Sequence, residues 1–227
     1  MSISYDVLIP AYNAQKTLPV LLQQIRHLEY PPQHIFVVND GSADQTAQAA
    51  ADGAVTLLNN PVNRGKGYAL RQGFKIFLEQ SGARYLLCMD ADLQHPPAAA
   101  PGFLLQAEEG ADVVIGWRKR SPRQMPLMRI FSNTMTSAIL SFLLPQKIHD
   151  SQCGYRLIER SVLQDIQLSE DGFQLETEFI IESVQRGHTI RFVPIPTIYN
   201  QQDSYINHLG DTLRFIKLVW NKAILKR

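Results

Sequence analysis

Asp90 and Asp92 stand either side of one small residue, Ala91, directly after the apolar run Tyr85–Met89. In extended chain, side chains two apart point the same way, so both carboxylates can meet one cation. Magnesium or manganese suits such oxygen ligands, because it keeps places in its shell for phosphate oxygens and water. A cation held there would neutralise charge on a departing diphosphate. Gln94 continues the alternation and offers a carbonyl oxygen, which makes Asp90, Asp92 and Gln94 the expected metal set. The bland alternative is a helix cap, with Pro96 and Pro97 near the first turn that follows.

Three further polar segments argue against the bland reading, since each also follows an apolar run. Pro10-Ala11-Tyr12-Asn13 follows Val7–Ile9, and Asn39-Asp40-Gly41-Ser42 follows Ile35–Val38. Asn63-Arg64-Gly65-Lys66-Gly67 comes after Val55–Leu58. Asp40 reads as an acceptor for a nucleobase edge or ribose hydroxyls, and Tyr12 as a face on which a base can stack. Gly41 permits a sharp turn, and capping of the next helix accounts for Ser42 and Asp44. The glycines and charges of residues 64–67 suit an anion held by helix-start amides and Lys66, and suit a solvated basic turn equally well. The spacing is not that of a Walker A loop.

The elements that must position these residues are short apolar runs alternating with helical patterns. Leu18, Leu21, Leu22, Ile25 and Leu28 share one helical face, as do Leu70, Phe74, Phe77 and Leu78. Val113–Ile115 and Ile190–Val193 read as two more strands. The alternation predicts an α/β fold with a mainly parallel sheet flanked by helices, and ligands bind at the carboxyl ends of such strands. Residues 145–176 mix short strand-like and helical pieces around Asp150–Arg156, and a helix follows at about 176–187. Residues 125–144 are apolar and about long enough to cross a bilayer, but Arg129, Asn133 and several hydroxyls interrupt them. A buried or interfacial helix is expected there rather than a span. In the tail from Leu209, Leu213, Ile216, Trp220 and Ile224 fall at helical spacing. Arg214, Lys217, Lys222, Lys226 and Arg227 surround them, as in a docked amphipathic helix or a membrane-surface one.

A chain of 227 residues with 45% hydrophobic and 19% charged content fits one soluble α/β domain. A net charge of +1 gives no field for nucleic acid, which is not an expected partner. Cys88 and Cys153 form no metal-ligand pair, and so few cysteines fit a reducing, cytoplasmic setting. No secretory signal pattern opens the chain.

The stretches IPAYNAQKTL, VVNDGSADQT, NRGKGYALRQG, LLCMDADLQHPP and DSQCGYRLI, in this order, resemble the family 2 glycosyltransferases. Within that family, the chain is most similar to the dolichyl- and polyprenyl-phosphate mannosyl- and glucosyltransferases, over residues 5–200. The resemblance implies the GT-A fold, an inverting mechanism, and transfer of a hexose from a GDP- or UDP-linked donor with Mg2+ or Mn2+. It implies one domain over residues 1–227. Residues 1–119 would hold nucleotide sugar and metal, 120–208 the acceptor, and 209–227 an amphipathic C-terminal helix.

Pro10, Tyr12, Asp40 and Lys66 match the family's nucleotide pocket, which the Asp90-Ala91-Asp92 stretch completes. Arg118 and Arg129, with Asn133 one turn beyond, resemble a pair of arginines that grips an acceptor phosphate. Asp150 falls where the family places an acid near the acceptor, to act as a base or to orient Arg156. A phosphate acceptor is already ionised near neutral pH and needs little help from a base. Asp92, Asp150, Arg118 and Arg129 are therefore the catalytic candidates.

Two departures stand out: Asn39 replaces the first acid of the family's Asp-Asp pair, and residues 199–207 lack the arginine and glycine of the lipid enzymes' last loop. The expected acceptor is a polyprenyl phosphate or another membrane-proximal lipid of the cell envelope. That places the enzyme in the cytoplasm, peripheral on the inner face of the membrane. The alternatives are a saccharide or other soluble acceptor and, in another class, a non-catalytic nucleotide-sugar binder. A sugar-phosphate nucleotidyltransferase would carry a glycine-rich signature after Val7–Ile9, which is absent.

Overall fold

The computed structural model describes residues 3–51, 55–119, 125, 127–198 and 208–224, with side chains from 214 to 223 in the last helix. The 199–207 segment, the Leu213 and Ile224 side chains, Lys226 and Arg227 therefore lie outside the described residues.

Seven strands form one sheet: β1 Tyr5–Ala11, β2 Ile35–Asp40, β3 Thr56–Asn60, β4 Tyr85–Cys88, β5 Val113–Arg118, β6 Arg156–Glu159 and β7 Ile190–Ile195. Their order is β3-β2-β1-β4-β6-β5-β7. All neighbouring pairs are parallel except those of β6, which runs antiparallel to both β4 and β5. Helices α1 Leu18–Arg26, α2 Thr46–Ala50, α3 Lys66–Gln80, α4 Ala100–Glu108, α5 Leu127–Leu143, α6 Arg160–Asp165, α7 Leu175–Gln185 and α8 His208–Val219 connect or flank the strands. A short 3-10 turn, Pro97–Ala99, leads into α4, and a π turn, Trp220–Ile224, ends the described chain.

The predicted α/β architecture is present, and the predicted apolar faces are those that pack. Leu18, Leu21, Leu22 and Ile25 of α1 are buried, as are Leu70, Phe74 and Phe77 of α3. The sequence pattern does not reveal β6. Only Leu157 and Ile158 supply apolar residues between two charged ends, too short a run to register as period-two alternation. Because β6 is antiparallel, its amino-terminal end lies beside the carboxyl end of β4, with Arg156 opposite Cys88. That reversal brings Cys153-Gly154-Tyr155 to the same rim as Asp90.

The tail corrects the expected face. Phe215, Leu218, Val219 and Ala223 are buried, whereas Ile216 is 54% and Trp220 56% exposed, so the packed stripe is offset from the expected one. Lys222 does not lie on a solvated basic face. Its ammonium turns inward to Glu178 Oε1 at 2.6 Å and Glu182 Oε1 at 2.8 Å, both on α7 and both buried. Two buried carboxylates need a cation, and this requirement sets the rotation of the last turns. Among the described residues no helix is long and apolar enough to cross a membrane.

Candidate active site

The loops after β1 and β2 are laced together. Asn13 N–H donates to Ser42 Oγ at 2.9 Å, Ala43 N–H to Asn13 Oδ1 at 3.0 Å, and Ala14 N–H to Thr46 Oγ1 at 2.7 Å. Asp44 accepts from the Thr46 amide at the start of α2, but also from Gln15 N–H of the other loop. Ser42 serves the lacing rather than a cap. Gly41 has φ +66, and a Cβ there would stand 2.3 Å from the Val62 carbonyl carbon, so the turn needs glycine. Tyr12 stays on the rim, 38% exposed.

Asn39 and Asp40 face β3 in register with Asn59 and Asn60. Asn39 Nδ2 donates to Asn59 Oδ1 at 2.9 Å and Asn60 Nδ2 to Asp40 Oδ1 at 2.8 Å. Asp40 Oδ2 also accepts the amides of Arg64 at 3.1 Å and Gly65 at 2.8 Å. Its carboxylate thus fixes the turn into α3. The Tyr68 amide goes to Asp171 O at 3.0 Å, and Arg71 pairs with the Asp171 carboxylate. The amides of Arg64, Gly65 and Tyr68 have protein acceptors, so these three are not open to an anion, and the turn is not simply solvated. It is a latch between β2, α3 and residues 170–172.

Lys66 is the exception, for its side chain reaches the rim. Its Nζ lies 2.6 Å from Asp90 Oδ1 and 2.7 Å from Glu176 Oε1. Burial alone would raise the Asp90 carboxyl, but the Lys66 charge overrides it and holds the group down at about 2. Burial would likewise lower the ammonium's pKa, and the two acids raise it instead. Glu176, in the first turn of α7, did not stand out in the sequence, where an acid opening a helix is ordinary dipole complementarity. Gly154 makes room for the trio, since a Cβ there would stand 2.7 Å from Lys66 Nζ and 3.1 Å from the Asp90 carboxylate oxygens.

Asp92 differs from Asp90. Burial, and then the neighbouring Asp90 charge, push its carboxyl up to about 6, while the Gln94 amide donates to its Oδ1 at 2.9 Å. Three acids, Asp90, Asp92 and Glu176, around one ammonium that bridges Asp90 and Glu176 leave an excess of negative charge that a divalent cation would relieve, and a carboxylate pair beside a carbonyl-bearing Gln94 is a hard donor set. The residues present therefore fit a magnesium- or manganese-type ion, held by Asp90 and Asp92 with Gln94 beside them. Among the described residues no group of three or more His, Cys, Asp or Glu is placed to hold a metal ion, here or elsewhere, so such an ion would rest on two carboxylates and take its remaining ligands from Gln94, substrate and water.

His95 braces this loop. Its Nδ1 accepts the Asp90 amide at 3.0 Å, its ring stacks on Tyr155 with centroids 5.2 Å apart, and burial pushes its pKa down to about 4. A neutral imidazole accepting through Nδ1 is a fixed support, not a proton donor to Asp90.

Across the rim, Arg118 at the end of β5 makes a forked pair with Asp150, Nε to Oδ2 at 2.9 Å and Nη2 to Oδ1 at 3.2 Å. Asn133 Nδ2 adds a bond to Asp150 Oδ1 at 3.0 Å, and the Gln152 amide another at 3.1 Å. Burial opposes ionisation of Asp150, but Arg118 wins and lowers its pKa. Asp150 therefore orients Arg118, not Arg156 as one expectation had it. The Arg156 guanidinium donates to the carbonyls of Cys153, Glu176 and Ser151. Arg118 is near enough to Asp90 for its charge to help keep that acid ionised. Arg129, in the first turn of α5, is partly exposed, one turn before Asn133. Cys88 and Cys153 are both buried free thiols.

A family model described as glycosyl transferase family 2 matches residues 6–167. A polyprenol monophosphomannose synthase of Mycolicibacterium smegmatis is 32% identical over 201 residues, which cover 83% of this chain and 75% of that protein. A dolichol-phosphate mannosyltransferase of Pyrococcus furiosus is 28% identical over 201 residues, covering 84% of this chain and 55% of its own. Among solved structures, the glucosyl-3-phosphoglycerate synthase of Mycobacterium tuberculosis, crystallised with Mn2+, uridine diphosphate and phosphoglyceric acid, superposes with a TM-score of 0.76. The match covers 98% of this chain and 79% of that one at 18% identity, and shows a shared GT-A fold. With its carboxylate pair, bridging lysine and strand-end loops inside the matched span, the chain belongs to glycosyl transferase family 2 and is a glycosyltransferase.

Proposed function

We propose that the protein transfers a hexose, with inversion, from a nucleotide-diphosphate sugar to a lipid phosphate of the polyprenyl type. The observation that carries this reading is the pairing of two charged sites on one rim: Asp90 and Asp92 with Lys66, and Arg118 held by Asp150. A divalent cation at Asp90 and Asp92 supplies charge neutralisation to the departing diphosphate. Tyr12 gives the base a face to stack on, beside Pro10 and Asp40. Lys66 keeps Asp90 ionised and presents a positive charge where donor phosphates would lie. Arg118, fixed by its fork to Asp150, orients the acceptor phosphate, with Arg129 as the second guanidinium.

Asp150 is fully buried and strongly hydrogen-bonded in its ionised form, which suits an anchor and not a proton acceptor. A nucleophile that needs no deprotonation fits such a site, and this favours phosphate over a saccharide hydroxyl. The names of the two relatives above support the same acceptor class.

The test incubates the enzyme with GDP- and UDP-linked labelled sugars, Mn2+ or Mg2+, and either polyprenyl phosphate or an oligosaccharide. Label in the organic phase that requires both cation and polyprenyl phosphate is expected. Transfer to the oligosaccharide alone would replace the acceptor assignment, and donor binding without turnover on either would leave a non-catalytic binder.

A further inference from the structure

The latch beside α3 is held from its far side by an acid that the chemistry at the rim does not use. Glu178 of α7 is fully buried, and its carboxylate accepts the Ser169 amide at 2.9 Å, the Ser169 hydroxyl at 2.7 Å and the Glu170 amide at 2.9 Å. The loop so anchored lies backbone to backbone against the first turn of α3. A Cβ on Gly65 would stand 2.6 Å from the Asp171 carbonyl oxygen, and one on Gly67 would stand 2.6 Å from that of Gly172 and 2.7 Å from that of Glu170. Lys66 sits between those two glycines, so whatever fixes residues 169–172 fixes the base of the lysine side chain. Glu176, two residues before Glu178 on the same helix, meets the lysine's ammonium at 2.7 Å.

Glu178 does not hold the loop unaided. Burial opposes its ionisation, and Lys222 together with the Ser169 and Glu170 donors reverses that and lowers its pKa. Lys222 Nζ lies 2.6 Å from Glu178 Oε1 and 2.8 Å from Glu182 Oε1. Arg186 Nε is 3.7 Å from Glu182 Oε2, so Glu182 has another cation to turn to, whereas among the described residues Glu178 pairs with Lys222 alone. Burial and the neighbouring Glu178 charge raise the pKa of Glu170, against Lys222 and, more weakly, Arg214. Without the Lys222 charge, Glu178 would take up a proton and grip the loop amides less strongly.

We propose that Lys222 is a positioning residue for Lys66: through Glu178 and residues 169–172 it fixes the first turn of α3, and with it the place of the Lys66 ammonium between Asp90 and Glu176. Lys222 bonds to Glu178, Glu182 and the Gln167 carbonyl, not to any group of the cation site, and acts only through the loop. Helix α7 then supports one lysine at both ends, Glu176 at its head and Glu178 at its base. The consequence for donor binding rests on the reading that Lys66 faces the donor phosphates. The position of Lys66 is measured without any ligand, so the two can fail separately.

The experiment compares the full chain with Lys222→Met and Lys222→Arg in site-resolved hydrogen exchange and in acetylation by acetic anhydride. The Tyr68 amide, which donates to the Asp171 carbonyl at 3.0 Å, reports the latch, and acetylation of Lys66 reports its ammonium. In Lys222→Met both rates should rise about tenfold while the β1 and β2 amides stay protected, and Lys222→Arg should restore them. The donor KM of Lys222→Met should rise about fivefold with little change in kcat. An unchanged KM beside faster Tyr68 exchange and Lys66 acetylation would uphold the positioning role and remove Lys66 from the donor phosphates. Wild-type Tyr68 exchange beside faster Ser169 and Glu170 exchange overturns the proposal, since the loop would then move without α3. Should Lys222→Met fail to fold, Ser169→Ala decides: it keeps every buried charge, removes one bond to Glu178, and should quicken Tyr68 exchange roughly threefold. No change in that variant overturns the proposal equally.

Discussion

The rim over β1, β2 and β4 and the rim over β5 and β6 solve the same problem by different means. On the first, parallel strands end in loops whose polar residues bond to one another and leave Asp90, Asp92 and Tyr12 at the edge. On the second, an antiparallel strand and the polar face of α5 deliver residues from inside the fold, and Asp150 is wholly buried. The first keeps acids whose charge is only partly balanced, as a cation site requires. In the second, a buried acid balances an arginine, and the geometry of that arginine is fixed before any ligand arrives. Donor-side chemistry is left electrostatically open, while acceptor-side chemistry is closed and pre-aligned.

The sharpest way to break this contrast is Asp92→Asn, which should lower transfer roughly a hundredfold or more while leaving the fold intact. Its melting temperature at pH 8 should equal or exceed that of wild type without cation, because the ionised Asp92 carboxylate is disfavoured in the fold. Near-normal turnover would remove Asp92 from the cation site.

On the closed side, Asp150→Ala should cost about 3 kcal/mol in urea unfolding, since it leaves the largely buried Arg118 charge without its partner. An unchanged midpoint would mean that Arg118 finds water or another acceptor, and that the second rim is not pre-aligned.

Acidity separates the two rims further. The raised Asp92 pKa means that this group favours the cation-free fold below the ordinary carboxylate range and loses that contribution as pH rises through about 6. Cation binding must displace the same proton, so Mn2+ affinity should fall by up to about tenfold per unit below pH 6. Calorimetry at pH 5, 6 and 7 reads this directly. A flat profile would show that Asp92 is not a ligand.

The smallest effect should come from Glu176→Gln. Glu176 shares Lys66 with Asp90, and without its charge the ammonium settles wholly on Asp90 and competes with the cation. Mn2+ affinity should drop roughly threefold to tenfold at pH 7.5, with the midpoint of unfolding little changed. Tighter Mn2+ binding would show that Glu176 does not hold Lys66 away from Asp90.

The donor rim was legible in the sequence because each of its residues follows a recognisable apolar run in a parallel sheet, where chain direction alone fixes which end carries ligands. Asp90, Asp92, Lys66 and Tyr12 all reach the rim this way. Asp40 reaches the same end but turns inward, because Asn59 and Asn60 lie just past the point where the apolar run of β3 stops, and their pairing across the strands left no mark in hydropathy. Glu176 and Gly154 were hidden for another reason: their roles depend on β6 being antiparallel, and two apolar residues between charges do not announce a strand. The Arg118–Asp150 pair needed α5 turned polar face inward, the reverse of the usual amphipathic rule. The tail failed on phase alone, since Lys222 had to be inside to meet Glu178 and Glu182.

The antiparallel insertion of β6 also bears on how the chain folds. β4 and β5 are never neighbours; the slot between them belongs to residues 156–159, which leave the ribosome after both. Until then β3, β2, β1 and β4 can assemble as a four-stranded sheet, but with the apolar edge of β4 unpaired, a template for another chain. β5 has no sheet to join before β6 arrives. Refolding should therefore protect the amides of β1 and β2 from hydrogen exchange before those of β5 and β7. Aggregation should be most severe for truncations that end between residues 118 and 156.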